Sequence, residues 1–371
     1  MKGPPPPDDS LAPLALALVR GVGPVRWRGL IAEHGSAAAA LSRLAGAERT
    51  AADALSRASA LRTECVGKQI AILTLDDERY PARLRALEDP PNPLFRLGTD
   101  EPWASPSVAI VGARHATASG RRVSRRVAAA LASEGVCVVS GLAAGIDAEA
   151  HAGALAVGGS TVAVLGTGVD VPYPQGNSAL HAAVVARGVV LSESLPGATA
   201  HPGAFPRRNR IIAALADVVV VVEAGVRSGA LITAQLANTL GRMIAAVPGP
   251  IDDPHCAGSN VLLRDGAHVV TSPDDVLAML ALTPRRTSSE ASDGVGDADA
   301  AGDGRRRHRA DLAAPDTAER RILEVLAAGP QFADDLVRVA GAGAREIGGA
   351  LALLGLSGLV EVDAAGLVHR R

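Results

Sequence analysis

Short apolar runs alternate with helical patterns through the middle of the chain. The runs are continuous in Val, Ile and Leu rather than alternating with polar residues, which is typical of parallel strands buried on both faces. They lie at Val108–Val111, Val136–Val139, Thr161–Leu165, Val189–Leu191, Asp217–Val222, Met243–Val247 and His268–Val270. Helical spacing between them, as in Gly120–Ser133 and Leu231–Leu240, predicts right-handed crossovers. We therefore predict an α/β fold with a Rossmann-like, mostly parallel sheet.

Helical patterns also flank this central zone. The first part of the chain is rich in Ala and Leu at helical spacing, and the last part pairs such spacing with two short strands, Gly358–Val362 and Gly366–Arg370, as in a winged helix. Between sheet and tail lies a stretch rich in Ser, Gly and Asp, which cannot bury enough apolar surface to fold alone. We predict an N-terminal helical domain over 1–64, a Rossmann-like domain over 65–281, a flexible linker over 282–315 and a winged-helix domain over 316–371.

Composition narrows the classes of function. The net charge is −2, so binding to nucleic acid requires a local basic patch. Aromatic residues make up only 2% of the chain, which limits any site built on stacked rings. Three widely separated cysteines favour neither a disulfide framework nor a zinc cluster, and fit a reducing cytoplasm. Since no apolar run approaches about 20 residues without a charge or glycine, we expect no membrane span.

The basic segment Phe205–Arg210 gives the sharpest functional signal. Pro206 suits the first turn of a helix that continues to Leu215. Cations near the positive end of a helix dipole cost about 0.3–1 kcal/mol each, so a function that holds an anion is favoured. Asn209 adds a hydrogen-bonding group, and Phe205 offers a ring to an unstacked base. The arginines in question are Arg207, Arg208 and Arg210. The alternative is a solvated basic face.

Three further loops follow predicted strands. Arg114 ends the first strand in a loop that lacks the G-x-G-x-x-G of dinucleotide binding, and it suits a phosphate or, alternatively, a surface ion pair. The glycine-rich loop Ser140–Asp147 opens a helix, where backbone N–H groups favour an anion, and it lacks the Gly-Lys-Ser/Thr of nucleotide hydrolysis. Ser228 is a natural N-cap, and Gly229 allows a phosphate to come close.

Asp147 and His151 are candidates for a metal-binding or acid–base role. The two residues lie four apart on a predicted helix, but no third ligand is evident. A carboxylate in the first turn is favoured by the helix dipole, so we predict a structural role for Asp147. We expect no metal and no cofactor.

Seven segments of the central zone resemble the DprA/Smf family of DNA-processing proteins. Shorter segments upstream of this zone, which include Arg79-Tyr80-Pro81 and Asp89-Pro90-Pro91, also resemble the family. The principal segments are VGARHATASG at Val111–Gly120, VVSGLAAGIDAEAH at Val138–His151, AVLGTGVDVPYPQGN at Ala163–Asn177, LSES at Leu191–Ser194, FPRRNRIIAALAD at Phe205–Asp217, SGALITA at Ser228–Ala234 and GRMIAAVPG at Gly241–Gly249.

The resemblance implies a non-catalytic protein that binds single-stranded DNA, forms a homodimer and loads the RecA recombinase on incoming strands during natural transformation. Ala113 stands where serine is common in the family, and Ser119 where an aromatic residue is often found, so phosphate contacts are favoured over base stacking. Carried over residue by residue, the DNA-contacting positions are Arg114, Ser140, Gly141, Phe205, Arg207, Arg208, Arg210 and Ser228. We add Asn209 and Gly229 to these positions because of their own chemistry: Asn209 offers a hydrogen-bonding group, and Gly229 allows a phosphate to come close.

The flanking domains leave alternatives open. Val19–Pro24 between helical runs resembles a helix-hairpin-helix, and Arg20, Arg26 and Arg28 favour phosphate binding there; a small packing module explains the segment equally well. The third helix of the winged-helix pattern carries only Arg345 as a basic residue, and a major-groove reader normally needs more. This domain is therefore interpreted as a protein-contact module.

Two other functions compete with a DNA-binding mediator. One is an enzyme that releases the base from nucleoside monophosphates, with Glu223 at a strand end as the acid. The other is a dimeric scaffold in which DNA binding is vestigial and the winged-helix domain carries the function.

Overall fold

The computed structural model describes residues 11–44, 47–99, 106–201 and 203–282, and in the C-terminal part residues 318–326, 331–332, 336, 350, 354, 360–362 and 367–370. The chain forms two compact units, Met1–Pro284 and Arg285–Arg371. No helix within the described ranges is long and apolar enough to cross a membrane.

A nine-stranded sheet organises the first unit, in the order β1-β2-β6-β5-β4-β3-β7-β8-β9. Its strands are β1 Ala71–Leu73, β2 Leu94–Gly98, β3 Ser107–Val111, β4 Cys137–Ser140, β5 Thr161–Leu165, β6 Val189–Ser192, β7 Val218–Val221, β8 Met243–Ala246 and β9 His268–Val269. The strands β3 to β9 are parallel and lie where the apolar runs predict them. The prediction of an α/β fold with a mostly parallel sheet is confirmed. The antiparallel strands β1 and β2 were not predicted.

Helices cover both faces of this sheet. They are α1 Ala12–Ala17, α2 Pro24–His34, α3 Ala37–Arg43, α4 Ala47–Gly67, α5 Ala82–Arg85, α6 Ala118–Ser133, α7 Ile146–Ala156, α8 Ser178–Arg187, α9 Ala204–Leu215, α10 Gly229–Thr239, α11 Ala257–Arg264 and α12 Pro273–Leu282. Successive residues of β3 enter opposite cores: Val108 packs in the core that includes residues of α6 and α7, and Ala109 in the core that includes residues of α9 and α10. Burial on both faces explains why β3 is apolar at every position but its first.

The N-terminal helices α1 to α4 share the second of these cores. The turn between α1 and α2 uses Gly21 in the left-handed region (φ +81°), and Arg26 donates a hydrogen bond to its carbonyl (3.3 Å). Arg28 donates to the carbonyls of Leu87 (3.0 Å) and Glu88 (2.9 Å). Arg28 therefore ties α2 to the segment before β2, whereas Arg20 stays exposed.

The described residues of the second unit include the helix α13 Ala318–Leu326 and a three-stranded antiparallel sheet. Its strands are β10 Gln331–Phe332, β11 Val360–Val362 and β12 Leu367–Arg370, in the order β10-β12-β11. Ile322, Leu326 and Val368 belong to its core. The two strands predicted at the end of the chain correspond to β11 and β12, and β10 adds a third. Arg345 and the linker predicted over 282–315, apart from its first residue, lie outside the described residues.

Candidate functional site

A cavity of about 130 Å³ opens where β3, β4 and β5 end and α9 begins. Its walls come from the loops after these three strands and from the first two turns of α9. A single water needs roughly 10–15 Å³, so the cavity accommodates a larger group. Its position agrees with the rule that ligands of open α/β sheets bind beyond the carboxyl ends of the strands.

Two rings and a cation converge on the outer wall of this cavity. The Cζ atom of Arg114 lies 5.2 Å from the centroid of the Phe205 ring. The ring of Tyr173 lies 5.2 Å from that of Phe205, centroid to centroid, at an interplanar angle of 34°. Arg114 is exposed and, among the described residues, forms no ion pair, so the ion-pair alternative for it is not observed. An exposed cation–π contact stabilises by about 0.5–1 kcal/mol and leaves the guanidinium edge free for an anion.

Arg208 forms the inner wall. Its side chain is 5% exposed, and Nη1 donates hydrogen bonds to the carbonyls of Gly141 (2.6 Å) and Val164. Burial lowers the pKa of Arg208 to about 10, the nearby Asp147 carboxylate opposes this, and the charge of Arg114 adds to it. A Cβ atom at position 141 would collide with the Arg208 guanidinium, which explains the glycine. Arg208 therefore links the ends of β4 and β5 to α9.

The two neighbouring arginines share one carboxylate. Glu193, whose side chain is 11% exposed, lies 2.8 Å from Arg210 Nη2 and 3.3 Å from Arg207 Nη2. Asp89 adds a longer contact of 3.6 Å to Arg210. The Arg210 side chain is 13% exposed and that of Arg207 is 59% exposed. The helix begins at Ala204, so Arg207 ends its first turn and Arg210 lies in its second, and the two guanidinium groups share the one carboxylate of Glu193.

The remaining predicted site residues serve local structure. Ser140 is buried and donates from Oγ to the Ile110 carbonyl (2.6 Å), and the Gly141 N–H donates to Asp147 (3.1 Å). The Ser228 side chain caps α10 by accepting from the Ala230 N–H (3.3 Å). Asn209 Nδ2 donates to the Gly229 carbonyl (3.3 Å), which joins α9 to α10. Of the ten predicted residues, those that line the cavity are Arg114, Gly141, Phe205 and Arg208.

The side chains considered for metal binding or acid–base chemistry, Asp147, His151 and Glu223, are all buried. Burial raises the pKa of Asp147 and lowers that of His151 to about 3, so the imidazole is neutral near pH 7. His151 Nδ1 lies 2.7 Å from the Thr161 hydroxyl. Glu223 accepts hydrogen bonds from the Thr117 N–H (3.0 Å) and hydroxyl (2.7 Å) at the start of α6. No group of three or more metal-ligating side chains occurs within the described ranges.

Sequence reasoning missed Tyr173 and Glu193. Tyr173 lies in a loop more than thirty residues from Phe205, and nothing local to either residue indicates the ring contact. Glu193 lies at the end of β6 within the segment Leu191–Ser194. Its signal was available, since an acidic residue at a strand end faces the same sheet edge as the arginines.

Three family models match the chain. The model described as DNA recombination-mediator protein A matches residues 71–281, the DprA-like N-terminal HHH domain matches 7–67, and the DprA winged helix domain matches 306–366.

Related sequences and solved structures point to the same family. A DprA protein of Mycobacterium tuberculosis is 38% identical over 360 residues, which cover 93% of this chain and 87% of the relative. The X-ray structure of DNA processing protein A from Streptococcus pneumoniae has 34% identity and a TM-score of 0.61, covering 75% of this chain and 98% of that chain. A structure of DNA processing protein A from Helicobacter pylori, described for its single-stranded DNA binding mode, has 29% identity and a TM-score of 0.52, covering 58% and 96%.

Proposed function

The chain belongs to the DprA/Smf family of DNA-processing proteins, and we propose that it binds single-stranded DNA, protects incoming strands and loads the RecA recombinase on them during transformation and homologous recombination. The observation that carries the binding proposal is the convergence of Arg114, Phe205 and Tyr173 on one cavity. The single-stranded DNA binding described for the Helicobacter pylori relative supports it.

The cavity wall suits a nucleotide whose base is not paired. A ring face accepts any base, and base–aromatic stacking contributes about 1–3 kcal/mol per base. The exposed Arg114 beside the ring supplies a cation for the phosphate of the same nucleotide. Bases within a duplex are stacked on one another, so a site of this kind favours single strands over double strands.

The proposed role of each arginine differs with its burial. We propose that Arg114 and the exposed Arg207 contact phosphates directly, and that Arg210 does so only where Glu193 releases it. Arg208 presents its charge to the cavity from below while its Nη1 holds two carbonyls. Ser140, Gly141, Asn209, Ser228 and Gly229 act by shaping the loops.

A non-catalytic role is part of the proposal. The competing nucleotide-hydrolysing enzyme requires a free acid, but both oxygens of Glu223 are engaged by Thr117. Incubation with AMP should therefore yield no free adenine above a protein-free control. Release of adenine at a rate proportional to protein concentration would favour the enzyme instead.

The proposal extends to the partners and to the remaining domains. We propose a homodimer, with the winged-helix domain as a protein-contact module that does not read DNA sequence. Loading of RecA is tested by following assembly of RecA filaments on single strands covered by a competing binding protein. The full chain should shorten the lag before assembly, and an unchanged lag would limit the function to strand binding.

Direct binding measurements test the central claim. Fluorescence anisotropy with labelled oligo-dT and with a duplex of equal length should give tighter binding to the single strand, because the cavity accepts unstacked bases. A protein with two to three phosphate contacts per protomer should show a slope of log affinity against log salt of about −0.7 per contact. Equal affinity for both forms would contradict the proposal.

Replacing Glu193 with glutamine should increase affinity for oligo-dT. The amide keeps the shape of the side chain but carries no charge, so Arg210 becomes available to a phosphate and the exposed Arg207 binds its phosphate without competition from Glu193. One extra phosphate contact would steepen the salt slope by about 0.7. Salt titrations by anisotropy measure this. Asp89→Asn is the matched control with a smaller effect, because Asp89 is half exposed and lies 3.6 Å from Arg210. An unchanged slope in a folded Glu193→Gln protein would exclude Arg210 from phosphate binding.

A further inference from the structure

The outer face of α6 carries four arginines that no predicted site includes. Arg121, Arg122, Arg125 and Arg126 are all exposed, and α6 contains no acidic residue. At 3.6 residues per turn the four positions span roughly 140° of the helix circumference, so they form one face. The opposite side of the helix, which includes Ser124, Val127, Ala128 and Leu131, is buried. We call these four residues the α6 arginine face.

The charges of this face are mostly left without partners. Arg125 pairs with Glu149 (2.8 Å), and Arg121 donates only to the carbonyl of Ala116 (3.3 Å). Arg122 and Arg126 form no ion pair with any described residue. Two pairs of like charge lie four residues apart, Arg121 with Arg125 and Arg122 with Arg126, and such pairs destabilise a helix. In a chain of net charge −2, this arrangement favours an external anion.

The face begins where the exposed wall of the cavity ends. Arg114 and His115 line the cavity, and Thr117, the N-cap of α6, lies two residues after His115. From Thr117 to Arg126 the helix rises about 14 Å. Arginines one turn apart have Cβ atoms about 5–6 Å apart and offer a row of cations rather than a single point. A linear polyanion that leaves the cavity past Arg114 meets this row next.

We infer that the α6 arginine face binds the phosphates of nucleotides that flank the one held in the cavity, on the same single strand. This inference rests on the proposed single-stranded DNA binding and extends it to a longer track. The face presents guanidinium groups, so its contacts with the strand are electrostatic and independent of base identity. Arg126 lies at the end of the face and also borders a shallow depression with Val247 and Thr271.

The double variant Arg122→Ala/Arg126→Ala tests the inference with two strand lengths. Oligo-dT of about 2 nucleotides occupies the cavity alone, because the cavity holds one nucleotide, whereas about 20 nucleotides, at no less than about 3.4 Å each, extend along the whole arginine row. The variant should bind the short strand as the wild type does and the long strand more weakly. Loss of two phosphate contacts reduces the salt slope by about 1.4, so between 50 and 200 mM salt the wild type should lose about sevenfold more affinity than the variant.

Controls separate charge from folding and from other partners. Arg57→Ala/Arg264→Ala removes the same charge from exposed positions on α4 and α11 and should leave the long strand unaffected. Arg122→Lys/Arg126→Lys should restore the salt slope, because an ammonium also binds phosphate. Polyglutamate is added as a competitor. Loss of polyglutamate binding with unchanged affinity for both strands would overturn the inference in favour of an acidic protein surface.

The failures of the two proposals are distinguishable. If the wild type binds both the short and the long strand and the double variant binds both equally well, the α6 arginine face does not bind DNA, and the proposed binding at the cavity is unaffected. If the wild type binds neither strand, the proposed single-stranded DNA binding is wrong, and so is the inference about the α6 arginine face.

Discussion

Replacing Arg208 with alanine should lower the free energy of unfolding by about 1–3 kcal/mol for each buried carbonyl that loses its donor. The variant leaves the carbonyls of Gly141 and Val164 without the Nη1 donor and the buried Asp147 without the favourable charge of the guanidinium. Burial already raises the pKa of Asp147, and loss of the guanidinium raises it further. The alanine side chain that replaces Arg208 supplies neither the charge nor the hydrogen bonds.

Urea unfolding followed by tryptophan fluorescence measures this effect in the full chain. The only tryptophans, Trp27 and Trp103, belong to the first unit, so their emission reports that unit alone. Arg207→Ala is the matched control, since its exposed side chain makes one contact of 3.3 Å and surface changes usually stay within about 0.5 kcal/mol. Arg208→Lys should restore little, because one ammonium does not reproduce the planar fork of the guanidinium. Equal unfolding midpoints for Arg208→Ala and Arg207→Ala would show that Arg208 is not a structural link.

This outcome affects how binding data are interpreted. A variant that loses Arg208 and Arg210 together removes a buried tie between β4, β5 and α9 as well as two cations. Weak DNA binding by such a protein would not separate recognition from folding. Arg114→Ala and Arg207→Ala change exposed side chains and are the sharper probes of phosphate contact.

Replacing Phe205 with alanine should weaken binding to oligo-dT by about 1–3 kcal/mol, or roughly 5- to 150-fold. The change removes the stacking face, the ring partner of Tyr173 and the surface beneath the Arg114 guanidinium. Few other rings are available to compensate, since only seven residues of the chain are Phe, Tyr or Trp: Phe 3, Tyr 2 and Trp 2. Anisotropy titrations at fixed salt give the affinities.

An abasic oligonucleotide isolates the ring from the phosphates. Without bases to stack, wild type and Phe205→Ala should bind it almost equally, whereas oligo-dT should distinguish them. Phe205→Tyr keeps the ring and is the conservative control. A loss of equal size on both oligonucleotides would assign Phe205 to packing of the cavity wall instead of base recognition.

The sequence predicts the sheet well and the burial of charged side chains poorly. The strands β3 to β7 are mainly apolar and buried at every residue, and a run buried on both faces has few alternatives. The strand β2 escaped prediction because it follows the prolines of 90–93, which usually indicate a loop. Its Phe95 is fully buried, so packing against the sheet outweighs the local signal.

The three arginines of α9 look equivalent as a basic run, yet their environments differ. Ile211, Ile212 and Leu215 mark the buried face of the helix, and Arg208 lies three, four and seven residues before them. Helical periodicity alone therefore places Arg208 on the inner face. The contact of Arg210 with Glu193 could not be derived in this way, because it depends on how α9 is set against β6.

Both ends of the nine-stranded sheet are short. The strand β1 has three residues and β9 has two, so neither offers a long row of unpaired main-chain groups. Long, flat edge strands are the ones that recruit strands from other chains and start aggregation. Within the described part of the chain, copies of this protein are thus poorly suited to join by continuing one sheet into the next. A homodimer would be assembled from helices and loops, and its side chains would determine which copies recognise each other.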